Sequence, residues 1–212
     1  NALMTTTSAE DGSFSFENIP CGTWYVREIE QPTGFVLDDT IYPVTIGTDG
    51  QVVEIEIVNE YGRGNIHLTK VDSEYPDNKL TGAVFEVYKD SNNNSKLDEG
   101  DELLGTLTEK EIGEYGMNDL FYGRYFVKET KAPDGFVLDT DVYEVVIDTD
   151  GKTYDVENKA GVGFINEVMR GNLKIVKTSS DGKVKGFAFR ITGANGYEII
   201  LETDENLSLI HI

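Results

Sequence analysis

The sequence predicts an all-β protein of repeated β-sandwich modules, one complete and two partial. Three observations carry this. Short runs that alternate apolar and polar residues lie between Gly, Asp and Asn clusters, the pattern of strands and turns. Gly (22), Tyr (11) and Phe (10) are abundant, together with Thr and Val, while helix punctuation is scarce. The chain also repeats itself. "YVREIEQPTGFVLD" from Tyr25 returns as "FVKETKAPDGFVLD" from Phe126, identical at eight of fourteen positions.

The repeat fixes the partition. Glu28 and Glu129 are 101 residues apart, and Asn59 and Asn166 are 107 apart. "GNIHLTK" at Gly64–Lys70 returns as "GNLKIVK" at Gly171–Lys177, and the Asn-to-Lys spacing is eleven in both copies. The unit is about a hundred residues, an ordinary domain size. Residues 1–62 read as the back of one unit, 63–169 as a whole unit and 170–206 as the front of a third. The final "LSLIHI" (207–212) fits neither copy, resembles translated adapter sequence and is set aside as a non-native tail.

In the whole unit the strands are expected in order near 65–72, 83–89, 102–108, 114–118, 123–131, 141–148 and 161–168. The first alternates Ile66, Leu68 and Lys70 against His67 and Thr69. The polar stretch 90–101 parts the second from the third. Pro133 and Gly135 form the turn leaving the fifth, as Pro32 and Gly34 do in the first copy. Seven short strands with such connections suggest a sandwich.

Alternation puts three polar residues on the wrong side. Lys70 shares the face of Ile66 and Leu68, Glu129 that of Tyr125 and Val127, and Asn166 that of Val162 and Phe164. The phase recurs where Trp24 and Val26 lead to Glu28, Ile55 and Ile57 to Asn59, and Leu173 and Ile175 to Lys177. A buried Lys, Glu or Asn is costly unless paired, so the three must meet. They could form a salt bridge with an asparagine hydrogen bond. Alternatively, desolvation moves the lysine proton to the glutamate, and the freed amine attacks the asparagine amide to leave a covalent isopeptide bond. Spacing favours neither reading.

Net charge is −21, which repels nucleic acid and anionic membranes, and the aromatic residues do not track basic ones. No apolar run is long enough for membrane insertion. The lone Cys21 allows no internal disulfide and has no histidine near it in the motif. His67 falls on a polar strand face and His211 in the tail, so histidine catalysis is not expected. "DSNNNSKLDEGD" places Asp90, Asn92, Asn94, Lys96, Asp98 and Asp101 at the ligand offsets of a calcium loop. Ser95 replaces the usual glycine and Asp101 the usual glutamate, so the expected Ca2+ site is weak. Its competing reading is a solvated hairpin of polar turn formers.

"YFVKETKAPDGFVLD" resembles the glutamate-bearing box of Cna protein B-type (CnaB) repeats of Gram-positive surface adhesins and of SpaA-type pilins. "GNIHLTKVD" and "VGFINE" resemble that family's lysine-bearing first strand and asparagine-bearing last strand. The resemblance implies a Greek-key sandwich of prealbumin-like, reverse-immunoglobulin type. It implies the covalent reading too: Glu129 as the catalytic acid, with Lys70 and Asn166 as the cross-link. Glu28 and Asn59 match two of the trio in the first unit, whose lysine would precede residue 1, and Lys177 matches one of the third. The implied protein is not an enzyme and requires no cofactor. It is an extracellular stalk repeat, with neighbouring repeats as partners, a distant cell-wall anchor and a tip domain that meets a host ligand. A ligand- or carbohydrate-binding module is the alternative.

Overall fold

The computed structural model describes residues 4–173, 175, 178, 180, 182, 185–193, 197–203 and 209–211. Two compact units result, Asn1–Met169 and Arg170–Ile212. All regular elements among the described residues are strands.

The whole repeat lies within the first unit and is a two-sheet sandwich. Its strands are β3 (Arg63–Asp72), β4 (Val84–Lys89), β5 (Glu102–Thr106), β6 (Thr108–Glu111), β7 (Glu114–Phe121), β8 (Gly123–Lys131), β9 (Val142–Ile147), β10 (Thr153–Asp155) and β11 (Phe164–Asn166). One sheet runs β10-β3-β7-β6, with β11 also on β3; the other runs β5-β4-β8-β9. The first strand therefore has two parallel neighbours along one edge. β10 pairs with its first half at Asn65–His67, and β11 pairs with its second half at Lys70–Asp72.

The alternating residues of both sheets meet in one core. Ile66, Leu68, Phe85, Val87, Tyr115, Val127, Ile147 and Phe164 are all at most 2% exposed. The Phe85 ring packs edge-on against Tyr115 and Phe164 at 5.4 and 4.9 Å between centroids, geometry that aromatic pairs prefer.

Three strand readings need correction. The expected strand 102–108 is two strands in different sheets. At Leu107 the chain crosses the sandwich, and that side chain is buried with its N–H donated to Phe85 O. β10 was not anticipated, because three residues carry too little alternation to register. The expected 161–168 strand is only Phe164–Asn166. Gly161 and Gly163 hold positive φ (71° and 124°) before it, and a Cβ at Gly163 would lie 2.7 Å from Thr69 O, so only glycine lets the chain approach β3 there.

Ahead of the sandwich, β1 (Gly22–Val26) and β2 (Tyr42–Ile46) pair antiparallel. This segment continues into β3 through an aromatic joint. Phe35 stacks on Tyr61 at 4.4 Å, Tyr61 meets Phe121 edge-on, and Arg63 lies 4.1 Å over the Phe121 ring. In the second unit β12 (Ala188–Thr192), β13 (Glu198–Thr203) and β14 (Leu209–His211) form an antiparallel sheet. The terminal stretch set aside on sequence thus supplies a strand.

Candidate functional site

Lys70, Glu129 and Asn166 come together in the core of the whole repeat. They are 0%, 0% and 3% exposed. β3 carries Lys70 inward beside Leu68. β8 carries Glu129, paired in register with Phe85. β11 carries Asn166, two residues after Phe164, which pairs with Lys70.

Hydrogen bonds fix all three. Lys70 Nζ donates to Phe164 O at 3.0 Å and Val71 O at 3.3 Å, and forms no direct ion pair with Glu129. Glu129 Oε2 accepts from Asn166 Nδ2 and from the Asp139 N–H, both at 2.9 Å. Asn166 Nδ2 also donates to Val137 O at 2.9 Å. Glu129 Oε1 and Asn166 Oδ1 are buried without a partner, an expensive state for both groups.

Burial sets the electrostatics. It lowers the Lys70 ammonium to about 8, against the opposing pull of Glu129, Asp139 and Asp72. It raises Glu129 above the usual carboxylate range, although the Asp139 N–H, Asn166 and Lys70 pull it back. Both shifts move the pair toward neutral amine and neutral acid, the form in which an amine is a nucleophile.

A second layer was missed by sequence reasoning. Asp139, which follows the shared "GFVL", gives its N–H to Glu129, while its Oδ2 accepts from Tyr143 OH at 2.7 Å and Asn158 Nδ2 at 2.8 Å. Burial alone would raise Asp139, but Asn158, the Asp141 N–H, Tyr143 and Lys70 together lower it. The available signal was repetition. Asp38 gives its N–H to Glu28 Oε2 at 2.7 Å, Tyr42 OH donates to Asp38, and Asn59 Nδ2 donates to Glu28 Oε2 and Val36 O. The first segment thus repeats the carboxylate–amide network half-exposed, and residues 1–62 contain no lysine. Lys177, matched to the third unit, lies outside the described residues.

The 90–101 loop closes on itself. Asp90 is buried, and its carboxylate accepts the N–H groups of Asn94 and Ser95 at 3.1 and 3.0 Å. Asn92 and Asn94 donate their amides to Asp98, and Asp101 accepts from the N–H groups of Ser91 and Asp98. Lys96 gives its N–H to Asn94 Oδ1. Among the described residues no group of three or more His, Cys, Asp or Glu side chains is gathered to hold a metal. His67 lies between Asp155 (2.6 Å) and Glu114 (2.7 Å), a surface ladder across three strands.

Two sheets of this order, with the first and last strands side by side over a buried Lys–Glu–Asn group, define a prealbumin-like sandwich. The chain matches the family model of the SpaA prealbumin-like fold domain over residues 2–61 and 64–160, and it belongs to that family. The trypsin-resistant surface T6 protein of Streptococcus pyogenes serotype M6 is 25% identical over 170 residues, covering 66% of this chain and 29% of that protein. The Bacillus anthracis TIE protein superposes with a TM-score of 0.74 at 26% identity, covering 97% of this chain and 37% of that one. The T6 backbone pilin of serotype M6 is 33% identical over 40% of this chain and 16% of its own, with a TM-score of 0.32. The chain thus spans well under half the length of each.

Proposed function

We propose that the chain is a structural spacer of a Gram-positive surface protein or pilus, and that its whole repeat closes itself with an amide between Lys70 and Asn166. The carrying observation is the buried trio, in which burial drives the lysine and the glutamate toward their neutral forms. The Lys70 proton passes to Glu129. The free amine attacks Asn166 Cγ, Glu129 gives its proton to Nδ2 as the Cγ–Nδ2 bond breaks, and it then takes the second amine proton and hands it to the departing ammonia. One amide forms, one ammonia leaves, and the glutamate is regenerated. The chemistry is a single self-directed turnover and not enzyme catalysis. The family and the surface-protein relative support an extracellular position with neighbouring repeats as partners, and an anchor to the cell wall and a ligand-binding tip elsewhere in the protein complete this reading.

Intact mass of the purified chain tests this. The wild type should be short by one ammonia and yield a Lys70–Asn166 peptide after digestion, and Glu129→Ala should restore the full mass. A wild type of full mass would rule out the amide.

A second element of the proposal is weak calcium binding at 90–101. Ser95, where a calcium loop needs glycine, adopts the required positive φ (61°). A half-turn of the Asn92 and Asn94 amides would present oxygens beside Asp90 and Asp98.

A further inference from the structure

β11 is three residues long. β3 covers one edge, and at Ile165 no strand among the described residues covers the other. One side chain takes that place. Asn158 Oδ1 accepts the Ile165 N–H at 2.6 Å, and Asn158 Nδ2 donates to Ile165 O at 2.8 Å, the two bonds a neighbouring strand would make. The remaining hydrogen of the same Nδ2 goes to Asp139 Oδ2 at 2.8 Å. Ile165 sits between Phe164, whose carbonyl holds the Lys70 amine, and Asn166, whose amide would be attacked. Asp139 in turn holds Glu129 through its own N–H. A single amide therefore ties the strand bearing the electrophile to the loop that orients the acid.

We propose that Asn158 is a positioning residue for formation of the Lys70–Asn166 amide, acting through Ile165 and Asp139 and touching none of the reacting atoms. This rests on the cross-link reading above. The first copy of the repeat differs in this stretch. Glu28 and Asn59 are separated by 31 residues, whereas Glu129 and Asn166 are separated by 37. The copies keep one offset through Asp38/Asp139, Tyr42/Tyr143 and Gly50/Gly151, so the extra length falls in the stretch that carries Asn158. The first copy has the acid, the amide and the aspartate without an equivalent of this clamp.

The test uses the full 212-residue chain kept unfolded from the start, taken from inclusion bodies in urea and verified at full mass, then refolded by dilution and followed by intact mass against time. Wild type, Asn158→Ala, Asn158→Asp and Glu129→Ala are compared across pH, with far-ultraviolet circular dichroism monitoring the fold. Asn158→Ala should lose ammonia on the order of ten- to a hundredfold more slowly than wild type, the scale expected when reacting groups are misplaced by about an ångström. Asn158→Asp replaces the donor with a carboxylate facing Asp139, so it should be slow at neutral pH. Its rate relative to wild type should rise as the introduced carboxyl is protonated in acid and becomes a donor again. Equal rates for wild type and Asn158→Ala would overturn the positioning role and leave the cross-link standing. A slow Asn158→Asp whose ratio to wild type ignores pH would also overturn it, since protonation would then fail to restore the clamp. If Asn158→Ala does not fold, the pH-dependent ratio decides. A wild type that never loses ammonia removes the cross-link itself, and this inference with it.

Discussion

Lys70 places an amine where water does not reach and supplies it with carbonyl oxygens in place of a carboxylate. That choice is decisive, because a tight ion pair would hold the proton on the nitrogen. The consequence is measurable without the reaction. In Asn166→Ala the lysine stays unlinked. Its folded value near 8 lies below the unfolded 10.5, so between these pH values the unfolded chain binds more protons. Stability should therefore rise with pH over that window, by about 1–3 kcal/mol in total. It should be lost again as pH falls through 8. Denaturant unfolding at stepped pH measures it, with Asn166→Ala/Lys70→Met as the reference that removes other titrations. Equal pH slopes in the two variants would refute the shift. At this scale the trio was legible because strand alternation is strict, and a polar residue on an apolar face announces itself. Asp139 and Asn158 act from loops through main-chain groups, where no period exists to read. Only the doubled sequence around Asp38 and Asp139 pointed to the aspartate, and nothing in the pattern pointed to Asn158.

The elements of the sandwich were mostly visible as runs, but sheet membership was not. Residues 102–108 read as one strand because the chain stays extended while it passes from β5 to β6. Periodicity records extension, whereas sheet membership depends on partners distant in sequence. Leu107 marks the crossing from inside the core. Leu107→Ala should cost about 2–5 kcal/mol, as buried leucine truncations do, read as a lower denaturation midpoint with unchanged slope. An exposed-site cost below about 0.5 kcal/mol would contradict its burial. The 90–101 loop makes a second element-scale prediction. If it takes calcium, titration calorimetry should show saturable heat in the millimolar range at the weak end for such loops, abolished by Asp90→Ala. Absence of heat at millimolar calcium would leave a hairpin held by its own hydrogen bonds.

At the scale of the molecule, the amide would close a loop of nearly a hundred residues between Lys70 and Asn166. In the chain-entropy account of cross-links, such a loop stabilises the fold by about 4–5 kcal/mol. Burial is distributed accordingly. The whole repeat has a closed core, while Trp24, Val26 and Glu28 in the first segment stay half-exposed where Tyr125, Val127 and Glu129 are covered. Limited proteolysis should leave a resistant product near residues 63–169, identified by mass, with cleavage on both sides. Uniform resistance from end to end would contradict this difference. The partition drawn from the repeat period is what this digestion tests, and the period itself was legible in the sequence. The first segment's packing into the same compact unit was not, because the aromatic joint of Phe35, Tyr61 and Phe121 forms only in three dimensions.

The parallel seam between β3 and β11 has a mechanical meaning. The polypeptide enters the sandwich at Arg63, the start of β3, and leaves just beyond Asn166, the end of a strand running the same way. Tension along the chain therefore pulls the two strands past each other in opposite directions. A seam loaded in shear must yield all its hydrogen bonds at once, whereas an antiparallel pair pulled from adjacent ends peels one bond at a time. With an amide between Lys70 and Asn166, the load path would shorten to the first eight residues of β3 and a single side-chain bridge. The core, both sheets and every loop between residues 71 and 165 would then carry no force, so the repeat could not lengthen however hard its neighbours pull.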